Sequence, residues 1–191
     1  MLKKINRILF RMRAQKYLKE TPRDRRFVSY PKAKSVLILF ESDYMEKNPN
    51  IRRMIGQLQQ DGKKVSAWGY VDKKEVITSI LPDFRILHHK QTDRFQKPLI
   101  SYVNELESLE YDLLIDLSVN AVIPLEYIAM YANASCKTGI RKTDLPIYDF
   151  VIDIKNQAAI SETEESGEQP IDENYVFDQI IFYLKSIQTN D

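Results

Sequence analysis

The chain has 191 residues, 43% of them hydrophobic, which suits one domain of ordinary size whose core needs neither metal nor disulfide to hold it. Its lone cysteine, Cys136, excludes a disulfide framework within the chain and a cysteine-based zinc site, so a reducing cytoplasm is the expected compartment. A net charge of +1 conceals a segregation: residues 1–34 carry twelve Lys and Arg against Glu20 and Asp24, net +10, while residues 35–191 carry 16 against 25 acids, net −9.

Residues 2–20 place Leu2, Ile5, Leu9 and Met12 at spacings of three and four, with Ile8 beside them and basic residues over the remaining surface. That is a basic amphipathic helix. Lys3, Lys4, Arg7, Arg11, Arg13, Lys16, Lys19, Arg23, Arg25 and Arg26 are the candidates for binding an anionic surface, either nucleic acid or lipid. Alternatively, the apolar stripe docks on the acidic body or on a second copy and the charges are merely solvated. The arm and its linker are expected to occupy residues 1–33, and removing residues 1–34 is expected to leave the body folded. Lys and Arg interrupt the apolar positions throughout, so a secretory signal is a poor match, and no apolar run reaches the roughly 18 to 20 residues of a membrane span.

From residue 34 a single α/β domain is expected. Ser35–Phe40 is a continuous apolar run, as in strands buried on both faces. Ile51, Met54, Ile55 and Leu58 mark a helix closed by Asp61-Gly62. Strands are predicted at Lys64–Tyr70 and Phe84–His88, separated by a short helix at Lys73–Leu81 that Pro82 stops. A helix at about 97–109 follows, with Leu99, Val103, Leu106 and Leu109 on one face. Then come a strand at Asp112–Leu117, a helix over Asn120–Ala134, and strands at Cys136–Ile140 and Tyr148–Ile154. Residues 155–172 are acidic and poor in large apolar groups, so a mobile loop is expected before a last helix at about 172–188. The alternation predicts a three-layer Rossmann-like fold with a mainly parallel sheet of five or six strands and helices on both faces, plus the basic N-terminal helix.

Ligands of such sheets bind beyond the carboxyl ends of the strands. Two polar turns fall there: Glu41-Ser42-Asp43, and Asp116 with Ser118 and Asn120. On a functional reading Asp43 or Asp116 is a general base or binds a hydroxyl. On a structural one Asp116 accepts from turn amides while Ser118 or Asn120 caps the next helix, and Asp43 caps the helix after strand one. The glycine-rich turn of a dinucleotide site is replaced by Glu41-Ser-Asp-Tyr-Met-Glu46, whose acids would repel phosphate, and no Walker motif occurs. Adjacent His88 and His89 point to opposite faces of a strand and cannot chelate one metal together. Cys136 reads as an inert buried thiol, and Trp68 with Tyr70 as packing. No cofactor and no metal site is expected.

The segment Tyr111-Asp-Leu-Leu-Ile-Asp-Leu-Ser118, followed by a helix and Ala134-Ser-Cys-Lys-Thr-Gly-Ile140, resembles the N-terminal half of the heptosyltransferase-like glycosyltransferases with the GT-B fold. Those proteins carry a similar "YDLVIDLQ" strand and an "RIG" strand. The resemblance spans residues 34–141 and implies a Rossmann-like half, with Asp43 as the one residue able to stand in for the family's catalytic base. That family holds its nucleotide sugar with a second domain, so the implied activity here is that of a degenerate or single-domain nucleotide-sugar or glycan-binding protein. The layout also resembles a small uncharacterised family from Bacteroidetes. The leading expectation is a non-catalytic, cytoplasmic interaction protein, peripheral to a membrane or to nucleoprotein, whose basic helix docks on an anionic partner or forms a homodimer.

Overall fold

The computed structural model describes residues 2–42, 49–72, 84–153 and 171–187, with the side chains of Leu2 and Lys3 left aside. In chain order the elements are α1 (Leu2–Glu20), β1 (Ser35–Glu41), α2 (Pro49–Gln60), β2 (Lys64–Val71), β3 (Phe84–His88), α3 (Ile100–Ser108), β4 (Glu110–Asp116), α4 (Ile123–Tyr131), β5 (Asn133–Ile140), β6 (Phe150–Ile152) and α5 (Glu173–Ser186). The six strands run parallel in the order β3-β2-β1-β4-β5-β6. Strand order therefore reverses between β1 and β4, which is where a Rossmann-like sheet opens its crevice. The short helix expected at Lys73–Leu81 and the loop expected at 155–172 lie outside the described residues, except Ile171 and Asp172.

Alternate residues of β1 serve two cores, as the strand period dictates. Leu37 and Leu39 face α3 and α4, while Val36, Ile38 and Phe40 face α2 and α5, and all five are at most 2% exposed. α2 ends as Asp61-Gly62 foretold. Gly62 adopts φ 78°, its N–H bonds Gln59 O and the next N–H bonds Leu58 O, which satisfies the last carbonyls. The helix expected at 97–109 is shorter: Leu99 and Leu109 flank it at 41% and 42% exposure, and only Val103 and Leu106 of the anticipated stripe are buried.

The N-terminal helix forms and belongs to the fold. α4 is apolar all round and buried along its length, with the sheet on one side and α1 on the other. The face of α1 that docks is not the expected stripe. Asn6, Phe10 and Ala14 are buried, Phe10 meets Tyr127 edge-to-face at 4.8 Å, and Tyr17 does the same to Tyr131. Ile5, Ile8 and Met12 lie opposite, at 44%, 58% and 62% exposure. A buried helix offers aromatic rings and shallow grooves, and Phe10 with the small Ala14 fits them better than a row of Ile and Met does.

The linker then crosses the amino edge of the sheet. Arg23 donates to Ala134 O, Ser135 O and both oxygens of Asp149, and Arg26 N bonds Ser135 O. Lys63 Nζ holds the far end by donating to Tyr30 O and Ala33 O at 2.6 and 2.7 Å. Beneath the linker, Lys137 is 2% exposed and donates to Ala129 O and Met130 O at the carboxyl end of α4.

Burial pushes the Lys137 amine down to about 7 from its ordinary 10.5. Between those values the unfolded chain holds a proton that the folded chain lacks, so stability should climb as pH rises from about 7 towards 10. Urea midpoints across that range should show the climb, and Lys137→Met should flatten it. An equal slope in the variant would assign the dependence elsewhere.

Candidate functional site

β4 ends on Asp116, which is 0% exposed. Its Oδ1 accepts from Ser118 N at 2.9 Å and Ser118 Oγ at 2.5 Å, while Oδ2 accepts from Lys142 Nζ at 2.6 Å and from the Tyr148 hydroxyl. A carboxylate offers about four lone-pair sites, and these four donors occupy them. The Lys142 side chain is 3% exposed, and its ammonium spends its other donors on Ser118 O and Ser118 Oγ. Tyr148 is held far above the ordinary phenol range by burial first and the Asp116 charge second. Gly139 on β5 makes room for this ring, since a Cβ there would stand 3.2 Å from Tyr148 Cε1. Among the described residues these donors enclose Asp116, an arrangement that suits a structural carboxylate, while Lys142 and Ser118 also border neighbouring cavities.

The capping expected of Ser118 and Asn120 does not occur. α4 starts after Val122 with no side-chain cap, and Pro124 stands in its first turn. Ser118 is consumed by Asp116. Asn120 crosses the switch point instead, its backbone N–H and side-chain amide donating to the Glu41 carboxylate at 2.9 to 3.3 Å. Asp43 lies outside the described residues. The structure thus joins Asp116 to Ser118 and sends Asn120 to the end of β1.

Beside that bridge opens a cleft of about 440 Å³ lined by Glu41, Ser42, Tyr70, Asp72, Asn120 and Arg7, among others. It lies at the carboxyl ends of β1 and β2, where the fold places ligands. A larger groove of about 990 Å³ opens at the opposite, amino edge under the linker, with Arg23, Arg25 and Lys137 in its walls. Arg23 and Lys137 are engaged there by the contacts that fasten the linker and α4 to the sheet.

The basic residues of the arm divide by chemistry. Its arginines face the body: Arg7 pairs with Glu126 and donates to Ala121 O, Arg11 meets Asp144 at 3.3 Å, Arg13 meets Asp93 at 3.8 Å and Arg25 meets Asp149 at 3.6 Å. Arg26 pairs locally with Asp24 at 3.1 Å. Lys4, Lys16 and Lys19 stay outside. Among the described residues Lys16 pairs only with Glu20 of its own helix, at 3.9 Å, and Lys4 and Lys19 have no ion-pair partner. Glu126 is 1% exposed and burial raises its carboxyl, against which the Arg7 charge works. Glu126, Lys142 and Tyr148 went unnoticed in the sequence, although an acid inside an all-apolar helix is a sign that some cation must come to meet it.

His88 Nδ1 accepts from Lys90 N at 3.3 Å, a local turn contact. Cys136 is buried, and its thiol is pushed up to about 11, chiefly by burial. Among the described residues no group of three His, Cys, Asp or Glu side chains is placed to hold a metal ion, and no helix is long and apolar enough to cross a membrane.

No curated protein and no solved structure matches the chain. A family model described as a family of unknown function, DUF6913, matches residues 7–166, a span that takes in most of α1 as well as the sheet. The chain belongs to the DUF6913 family.

Proposed function

We propose that this is a non-catalytic interaction protein that attaches to an anionic lipid surface through the outer face of α1. The observation that carries this reading is the row Ile5, Ile8 and Met12, 44% to 62% exposed and turned away from the body, with Lys4, Lys16 and Lys19 on the same side of the helix. Apolar side chains edged by lysines suit the headgroup boundary, where the chains insert and each ammonium near the surface adds about 1 kcal/mol. Nucleic acid would use the charges but offers little to the isoleucines and methionine. Most of the arm's arginines are held by the body, which favours the lysines as the charges that would meet the lipid.

The test is sedimentation with vesicles of phosphatidylcholine, alone or mixed with phosphatidylglycerol, over a salt series. Binding should need the anionic lipid, weaken with salt as screening sets in, and fall in Ile8→Ser/Met12→Ser. That double variant alters only exposed positions, so its stability should stay within about 0.5 kcal/mol of the parent per site. Binding to RNA without lipid, or a dimer that the same variant dissociates, would replace this reading.

A second reading rests on the switch-point cleft. Carboxylates Glu41 and Asp72 with the Asn120 amide suit the hydroxyls of a nucleotide sugar or glycan, in line with the resemblance to the N-terminal half of GT-B glycosyltransferases. Such a ligand should raise the melting temperature, and Asp72→Asn should cancel the rise. A flat response to a broad panel would leave the cleft without this role.

A further inference from the structure

At the same sheet edge, but nearer β5, a second cavity of about 310 Å³ is lined by Arg7, Arg11, Ala121, Arg141, Lys142, Thr143 and Asp144. We propose that this cavity is a binding site for a phosphoryl group, gripped by the guanidinium groups of Arg11 and Arg141 with Arg7 behind them. Two residues from α1 and two from the segment after β5 supply its charge, so the site exists only because the N-terminal helix docks where it does.

The acids that balance these cations sit mostly behind them or away from the cavity. Glu126 and Asp116 are 1% and 0% exposed and lie under Arg7 and Lys142, and Asp153 pairs with Arg141 from outside the lining. The cavity therefore presents a positive layer over a buried negative one. Lys142 contributes charge alone, because Asp116 and Ser118 take its three donors. Arg7 keeps N–H groups beyond those given to Glu126 and Ala121 O. The Thr143 hydroxyl accepts from Leu145 N at 3.3 Å and has its own proton to give.

Asp144 is the one acid among the described residues of the lining, and its hold is weak: Arg11 meets it at 3.3 Å with the two side chains 52% and 86% exposed. A dianionic phosphate monoester would displace it, since planar guanidinium forks bind phosphate oxygens in pairs. The volume of about 310 Å³, at the small end of ordinary ligand pockets, has room for a phosphate and its substituent. Two sources supply that chemistry, a soluble phosphate monoester and the headgroup of an anionic lipid. The inference stands apart from the outer face of α1, because Arg11 and Arg141 are not part of that apolar row.

Calorimetric titration of the full chain with inorganic phosphate and with glycerol 3-phosphate, against chloride at equal ionic strength, tests the site. Vesicles containing phosphatidic acid form the second arm. Glycerol 3-phosphate should bind where chloride does not, or vesicles with phosphatidic acid should bind more tightly than vesicles with phosphatidylglycerol at equal surface charge. Arg11→Gln/Arg141→Gln should lose at least about tenfold in either arm. Both positions are half-exposed and paired with exposed partners, so folding should survive, and an unchanged melting curve confirms it. Ile8→Ser/Met12→Ser should leave the soluble arm unchanged, which separates this site from attachment by the helix face. Phosphate and glycerol 3-phosphate no better than chloride together with no preference for phosphatidic acid over phosphatidylglycerol, or full affinity in the arginine variant, would overturn the proposal.

Discussion

Replacing Phe10 with alanine is expected to cost about 3–5 kcal/mol in urea unfolding, the range for a buried aromatic that leaves a cavity. Phe10 is 0% exposed and its ring sits against Tyr127 in the middle of the α1–α4 contact. Met12, two residues on, is 62% exposed, and Met12→Ala should cost no more than a few tenths. The contrast discriminates sharply. If α1 were a detachable arm docking by its Ile and Met row, the two costs would be reversed or both would vanish. For the same reason removal of residues 1–20 should strip the cover from α4 and give an aggregating or unfolded body. The simple truncation test of attachment is therefore uninformative, and point variants on the outer face have to carry it.

Arg7→Ala adds a signature that cavity formation lacks. It strands the Glu126 carboxyl, 1% exposed, and breaking a buried pair ordinarily costs about 3–5 kcal/mol. Protonation offers an escape: neutralising a carboxyl of ordinary affinity at pH 7 costs roughly 3 kcal/mol, so the loss should level off near that figure. Burial already raises Glu126, and without Arg7 it rises further. A carboxyl that holds its proton in the folded chain but not in the unfolded one contributes stability that fades as pH rises. The deficit of Arg7→Ala should thus be largest at neutral pH and narrow as pH falls towards 4.5. A deficit constant with pH would mean that Glu126 is not the group left stranded.

The sheet could be read from the sequence because its signals are local. Ser35–Phe40 has no polar break, and a strand buried on both faces has that texture for reasons contained in the run itself. The Schellman turn at Gly62 is equally local. α1 failed at one step, the choice of face. Ile5, Ile8, Leu9 and Met12 dominate a hydrophobicity count, whereas the docked row is Asn6, Phe10, Ala14 and Tyr17, with a single strongly apolar member. The clue lay elsewhere in the chain, in a helix at 123–131 with no polar face and one acid, which required both a cover and a cation. Joining Arg7 to Glu126 means spanning 119 residues, and no periodicity reaches that far. The site was legible to the same degree: the turn at Asp116 was found, but Lys142 and Tyr148, which determine what Asp116 can do, arrive from later in the chain.

Asp116→Ala should cost about 3–5 kcal/mol, because the nearly buried Lys142 loses its carboxylate partner. Lys142→Met should cost less. Asp116 would keep its bonds from Ser118 N, Ser118 Oγ and the Tyr148 hydroxyl, and a carboxylate with three donors tolerates the loss of the fourth. The double variant should be milder than the sum of the singles by at least about 2 kcal/mol, since removing both members strands neither. Urea unfolding of the four proteins gives that coupling energy directly. Additive singles would mean that the ion pair at 2.6 Å contributes nothing beyond its surroundings. Strong coupling carries a consequence for function, because it shows a carboxylate committed to holding the segment after β5 in place. That segment carries Arg141 and Thr143, so Asp116 would shape the phosphoryl cavity by fixing its wall rather than by meeting a ligand, and Asp116→Ala should weaken phosphate binding while the Asp72→Asn cleft variant leaves it untouched.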